Sequence, residues 1–186
     1  TYLKTKDSFP PVRDIDTTNR KGYNRIAKSF TEKKRVTTRN FHQCSNEFFK
    51  HVSNEFISKS SDILEIGAGN GWLSSVLKTN SENYTVLDIS KEMSSVKENK
   101  SCFTTSVSCM PFSNETYDIV LASLADPYFY PEAICEINRV LKKGGLFAFS
   151  LAACNNSGGG NPTTQGQPTT TTTAQQSATL AFMSDN

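Results

Sequence analysis

Seven residues constrain this chain more than any others: Glu65-Ile66-Gly67-Ala68-Gly69-Asn70-Gly71, directly after the apolar start of a strand at Asp62-Ile63-Leu64. Glycines set between a strand and a helix let the backbone turn tightly. They also let it approach a ligand at a helix end rich in free N–H groups. The spacing is GxGxG. Trp72 occupies the position where the pyrophosphate-cradling GxGxxG pattern has its last glycine. An acidic residue ahead of the glycines, Glu65, suits a cofactor with a cationic amino group better than one presenting a diphosphate.

The surrounding sequence predicts alternating strands and helices. DILEIG (62–67) reads as a strand and GWLSSVLKTN as the helix after it. YTVLDIS (84–90) is a second strand, followed by a helix at KEMSSVKENK. CFTTSV is a weak strand and CMPFSNET a loop. YDIVLAS (117–123) is a strong strand, and PEAICEINRVLKK (131–143) is an amphipathic helix that Gly144-Gly145 stop before the strand LFAFSL. Such alternation implies an α/β fold: a Rossmann-like three-layer sandwich with a mainly parallel sheet covered on both faces. Upstream, Tyr23, Ile26, Ala27 and Phe30 fall on one helical face. Phe48, Val52, Glu55 and Phe56, widened by Phe49 and Ile57, form a second helical stripe expected to pack on the sheet.

Asp88 ends the second strand, seventeen residues after Gly71. A carboxylate there can accept hydrogen bonds from both hydroxyls of a ribose, as doubly wound folds do; the other reading is a surface Asp in a turn. Ser90 is the better N-cap for the helix that follows.

The segments ILEIGAGNGWLS, VLDISKEM, CMPFSNETYDIVLAS and INRVLKKGGLFAFS resemble, in order and spacing, the class I S-adenosylmethionine-dependent methyltransferases, in particular the methyltransferase type 11-like group. The resemblance implies S-adenosyl-L-methionine as cofactor. It implies that Glu65, Gly67, Ala68, Gly69 and Gly71 line the methionine end of that cofactor and that Asp88 holds its ribose. Ile89 and Met93 would lie near the adenine, although plain core packing is an alternative for Met93. The family usually has an Asp contacting the adenine amino group where this chain has Ser106, followed by Val107; serine keeps an acceptor and loses the charge. Tyr23 lies in a segment similar to the family's variable N-terminal lid, where it either reaches substrate or packs against the domain. Asp126-Pro127-Tyr128 is a shortened relative of a motif that holds target amines in amino-methyltransferases. It reads mainly as a turn, with substrate contact through Asp126 and Tyr128 as the second reading.

The implied activity is methyl transfer to an unidentified acceptor, a small molecule in the first reading. The alternatives are a non-catalytic cofactor-binding remnant, and an RNA or protein methyltransferase using the basic N-terminal part. Residues 1–60 carry thirteen Lys/Arg against six Asp/Glu, whereas residues 61–151 carry seven against eleven. A basic segment of this kind attracts nucleic acid, but it also describes an ordinary solvated helix face. No residue stands out as a catalytic base.

The expected organisation is a flexible arm at 1–19, a methyltransferase core with its helical lid at 20–151, and a low-complexity tail at 152–186. That tail is rich in Thr, Gly, Gln and Asn, and most of it cannot bury enough apolar surface to offset its ordering entropy. ATLAF is its only candidate strand. The family's closing helix and hairpin are not found, which leaves an open sheet edge that favours self-association. The five cysteines have no metal-ligand spacing and read as reduced, mostly buried thiols; no metal site is expected. With no apolar run near the roughly eighteen residues that span a bilayer, and no signal-type apolar core at the start, the expectation is a cytoplasmic protein without a membrane partner.

Overall fold

The structure, a computed structural model, describes residues 12–29, 36–77, 83–94, 101–125, 131–152 and 177–183. Helix α1 (Val12–Ile26) continues into a 3-10 turn (Ala27–Ser29), and α2 (Val36–Phe56) leads to strand β1 (Ile63–Ile66). Then follow α3 (Trp72–Leu77), β2 (Tyr84–Asp88), β3 (Ser101–Thr104), β4 (Tyr117–Ser123), α4 (Pro131–Val140), β5 (Leu141–Ala152) and β6 (Ser177–Met183). The sheet order is β3-β2-β1-β4-β5-β6. The β3-β2-β1-β4-β5 neighbours pair in parallel, and β6 runs antiparallel to β5. This is the expected Rossmann-like, mainly parallel sandwich.

Period-two alternation along the strands divides the core into two layers. Ile63, Tyr84, Val86, Ile119, Leu121, Leu146 and Ala148 point to one face, where Phe49 and Val52 of α2 and Leu73 and Leu77 of α3 cover them. Leu64, Ile66, Leu87, Val120, Ala122 and Phe147 point to the other, covered by Ile137 and Val140 of α4 together with Met110 and Tyr117. β1 is buried at every residue because it lies inside the sheet with helices on both sides. A buried hydrogen bond from Ser45 Oγ to Ser150 Oγ (3.0 Å) also ties α2 to the C-terminal part of β5.

Four expectations change. The first helix starts at Val12, so 12–19 belong to it rather than to a flexible arm. The helix expected to run to Lys143 ends at Val140. Leu141 already pairs with Tyr117, and the register then jumps to Leu146 opposite Ile119, so Gly144 and Gly145 form a bulge inside β5. At Gly145 a Cβ would lie 2.8 Å from the Lys142 carbonyl and 3.1 Å from that of Asp118, and the strands can close only without a side chain there. Residues 177–183 pair along β5 from Ser177 opposite Ala152 to Met183 opposite Leu146. The outer side of β5 is therefore paired by the chain's own ATLAF strand, and β6 becomes the edge of a sheet that stays incomplete at its C-terminal end. Lastly, Cys102, Cys109 and Cys135 are free and exposed, not buried: Cys102 sits on the outermost strand β3 and Cys135 on the outer side of α4. The helix expected at 91–100 is described only at its start, where Lys91–Met93 form a turn.

One polar cluster fastens the loop between β3 and β4 to α4. The Arg139 guanidinium donates to the carbonyls of Phe112 (2.7 Å) and Met110 (3.1 Å), to Asn114 Oδ1 (3.1 Å) and to both oxygens of Glu136. Glu136 in turn accepts from the Met110 amide at 2.8 Å. These charge-assisted bonds join segments far apart in sequence. Replacing Arg139 with Ala is expected to lower unfolding free energy by about 2 kcal/mol, read from the urea midpoint. Because Arg139 holds the Glu136 carboxyl below its ordinary value, that contribution is complete at neutral pH and disappears as acid titrates Glu136.

Candidate functional site

In an open parallel sheet, ligands bind beyond the carboxyl ends of the strands, at the point where strand order reverses. Here the chain winds outward from β1 through β2 to β3, then crosses to β4 on the other side of β1. The loops after β1, β2, β3 and β4 therefore surround the candidate site.

The loop after β1 takes its shape from its glycines: φ is +66° at Gly67, +51° at Gly69 and +73° at Gly71, the left-handed region that costs an L-residue about 1–2 kcal/mol. The Gly67 amide donates to the Leu87 carbonyl (2.7 Å) and the Gly71 amide to the Ala68 carbonyl (2.8 Å). Asn70 Oδ1 then accepts from the Trp72 amide at the start of α3. Ala68 is buried, whereas Gly67 is exposed.

Asp88 unites two of these loops. It is buried, and its Oδ2 accepts from the Gly69 amide (2.8 Å) while Oδ1 accepts from the Ser90 amide (2.8 Å). Burial raises the pKa of its carboxyl, partly opposed by the backbone hydrogen bonds from Ser90, Gly69 and Ile89. A carboxylate has about four acceptor positions, so the amides of Gly69, Ser90 and Ile89 leave one for a hydroxyl donor of a ligand. Ser90 Oγ accepts from the Met93 amide at 3.1 Å, the capping role its position suggested. Ile89 is half-buried, and Met93 is buried with its Cε 3.7 Å from where a Gly69 Cβ would stand.

Glu65 lies below the glycines, 2% exposed, on the face under α2 and α3. Its Oε2 accepts from the Tyr84 hydroxyl at 2.8 Å. Burial, with the neighbouring Glu65 charge and the hydrogen bond to it, pushes the Tyr84 pKa well above its ordinary value, so the phenol stays a donor. Beyond β3, Ser106 Oγ lies 2.7 Å from Ser108 Oγ and accepts from the Ser108 amide at 3.1 Å. Val107 packs on the second core layer. The structure thus brings Glu65, Gly67, Ala68, Gly69, Gly71, Asp88, Ile89, Met93, Ser106 and Val107 to one end of neighbouring strands. Tyr23 lies on α1, which docks on the same end, and is half-buried. Asp126 and Tyr128 lie outside the described residues.

Several participants were not singled out from the sequence. Ser90 Oγ donates to Asn24 Oδ1 of α1 at 2.6 Å, and Ser108 Oγ to Asp16 Oδ2 of the same helix at 3.4 Å. At the end of β4, Ser123 Oγ is buried without a hydrogen-bond partner among the described residues. It is followed by Leu124 at φ +52°, a strained conformation for a leucine. A polar, inward-facing stretch in an otherwise amphipathic helix was the available signal for Asp16. Ser123 gave none, because its isolation depends on what surrounds it.

Strand order, glycine loop and terminal carboxylate together define a Rossmann-like domain of the class I methyltransferase kind. Residues 64–149, a little under half of the chain, match the methyltransferase domain family. An uncharacterized protein of Methanocaldococcus jannaschii is 29% identical over 139 residues, 70% of this chain and 50% of that protein. The chain spans about half the length of that curated relative. Among solved structures, a chain from the complex of the Haloferax volcanii Trm112 methyltransferase activator superposes with a TM-score of 0.52 at 22% identity, over 61% of this chain and 55% of that one. The YcgJ protein of Bacillus subtilis gives 0.51 at 24%, over 60% and 51%. The [4+2]-cyclase SpnF gives 0.52 at 18%, over 59% and 46%. At these identities the likeness is one of fold. Among the described residues, no helix is long and apolar enough to cross a membrane.

Tyr84→Phe removes a donor to a buried carboxylate directly beneath the glycine loop. The expected loss is about 1–3 kcal/mol of unfolding free energy, read from chemical denaturation, with the sheet retained by circular dichroism.

Proposed function

We propose that this domain binds S-adenosyl-L-methionine and transfers its methyl group to an acceptor of small-molecule size. The observation that carries the reading is the Asp88 carboxylate. It is buried at the end of β2, bonded to the amides of Gly69 and Ser90, and keeps an acceptor position to spare.

The residues present fit that cofactor. Gly67, Ala68, Gly69 and Gly71 offer a backbone cradle without bulk for the methionine end, with Glu65 beneath it. Asp88 takes the ribose hydroxyls. Ile89 and Met93 flank the adenine on one side, and Ser106 and Val107 on the other. Ser123 Oγ, without a partner among the described residues, is placed to accept one from a ligand at the strand-order reversal.

When bound, the cofactor supplies a methyl group on a positively charged sulfur, which needs little activation. What the chain contributes is alignment and a dry site. α1, with Tyr23, closes over the loops after β2 and β3 through Asn24 and Asp16 and excludes water there. A site closed by a helix in this way favours a small acceptor over a polymer lying in an open groove. Asp126 and Tyr128, outside the described residues, are the chain's candidates for acceptor contact in this reading. A base is required only for an acceptor that is protonated at working pH. The likeness to a cyclase is a reminder that this fold hosts more than one reaction, so the activity rests on the site and not on the fold.

Calorimetric titration with S-adenosylhomocysteine tests the reading. Micromolar binding is expected, lost in Asp88→Ala. A folded wild-type chain that binds neither this compound nor S-adenosylmethionine overturns it. Burial raises the Asp88 pKa, so below that raised value the protonated carboxyl dominates, and at higher pH the buried charge is a cost to stability that ribose hydroxyl donors offset. Affinity should therefore fall on acidification from above the ordinary carboxylate range, and Asp88→Asn should bind weakly with that pH dependence removed.

A further inference from the structure

α1 presents an unusual inner face. Ile15, Asp16, Asn19, Gly22, Tyr23 and Ile26 fall at helical spacing and are buried or half-buried, while Arg13, Asp14, Thr17, Arg20, Lys21 and Arg25 are exposed. A helix that only caps a core turns apolar residues inward. This one turns a carboxylate inward, with Asp16 8% exposed.

The position of that carboxylate is specific. Asp16 Oδ2 is 3.4 Å from Ser108 Oγ, and Ser108 Oγ is 2.7 Å from Ser106 Oγ. Farther along the helix, Asn24 accepts from Ser90 at 2.6 Å. α1 therefore spans the loop after β2 and the loop after β3, the two walls between which a purine would sit. At a rise of about 1.5 Å per residue, Asp16 and Asn24 are roughly 12 Å apart along the axis, comparable to the span of a nucleoside. The loop after β3 itself offers hydroxyls at Ser106 and Ser108 and no carboxylate in its Ser106–Cys109 stretch. An exocyclic amine in a site shielded from water calls for a strong acceptor, and a hydrogen bond to a charged group is stronger than one to a hydroxyl.

Resting on the cofactor reading above, we infer that Asp16 is the acceptor for the 6-amino group of the cofactor's adenine. It would be supplied from α1 across the Ser106–Ser108 hydroxyls, so that closure of α1 and recognition of the base are one event. The carboxylate accepts from an amine and repels the carbonyl that hypoxanthine carries at the same position. Asp16 thereby discriminates adenosyl from inosyl cofactors, a specificity that the loop after β3 does not provide alone.

The test compares S-adenosylhomocysteine with S-inosylhomocysteine by calorimetry on the full chain, for the wild type, Asp16→Asn and Asp16→Ala, with Asp88→Ala as reference. The wild type should prefer the adenosyl compound by roughly ten- to a hundredfold, the size of a charge-assisted hydrogen bond. Asp16→Asn, whose amide can donate to a carbonyl as well as accept from an amine, should bring the two affinities within a few-fold, mainly by gaining the inosyl ligand. Asp16→Ala should lose adenosyl affinity and gain some inosyl affinity, because the carboxylate that repels the carbonyl is gone. Asp16 variants that keep wild-type discrimination, while Asp88→Ala abolishes binding, overturn this inference and leave the cofactor reading intact. Failure of the folded wild type to bind the adenosyl compound overturns both. Thermal melts of each variant show whether a change in affinity is a change in folding, and Asp16→Asn, nearly isosteric, keeps the comparison valid if Asp16→Ala unfolds.

Discussion

The Asp88 carboxylate holds the site together. One oxygen takes the amide of Gly69 and the other that of Ser90, so the loop after β1 and the loop after β2 share one buried charge. Burial alone would push that group toward neutrality, and the backbone donors resist it. Around this point the rest follows. Gly67 hangs from the Leu87 carbonyl, Ser90 caps the turn to Met93, and the same Ser90 hydroxyl reaches α1 through Asn24. A helix from the start of the chain is thereby tied to the end of a central strand.

The same economy explains why the segments around Met110-Pro111-Phe112 and Glu136…Arg139 occur together. Glu136 and Arg139 are one turn apart on α4, and their free hydrogen-bonding groups meet backbone atoms at Met110 and Phe112. That loop has few regular hydrogen bonds of its own, so a salt-bridged pair on a neighbouring helix satisfies it. The aromatic edge contacts of Phe112 with Tyr117 and Phe103 continue the anchorage into the sheet. Through this clamp α4, which lies on the far face of the sheet, helps to hold the segment that begins at Ser106.

Much of the architecture was legible in the sequence because it rests on local periodicity. β4 runs from Tyr117 to Ser123 as its alternation indicates, and α3 begins at Trp72, right after the glycines. Boundaries set by pairing were not legible. Leu141 has the look of a helix residue, yet it joins β5 because Tyr117 offers a partner and Gly145 allows the strands to meet. Ser177–Met183 is a weak strand on composition and becomes β6 because the outer edge of β5 has backbone groups to satisfy. Cys102 and Cys135 are exposed, against the expectation of buried thiols, because of the sides of β3 and α4 on which they fall.

The candidate site divides along the same line. The glycine spacing and an acid at the end of the second strand are written in consecutive residues, since backbone conformation and strand direction are local properties, and these gave Gly67, Gly69, Gly71 and Asp88. Glu65 was legible as an acid beside the loop, but only the pairing of β1 with β2 reveals that it receives the Tyr84 hydroxyl within the core. Asp16, Asn24 and Ser123 stand beside the candidate site because α1 folds back over the strand ends and β4 emerges beside β1. Residue order along the chain suffices for the class of fold, the glycine loop and the terminal carboxylate. Tertiary structure alone decided which distant polar groups meet them, because burial and hydrogen-bond partnership are properties of neighbours in space, and neighbours in sequence carry no record of them.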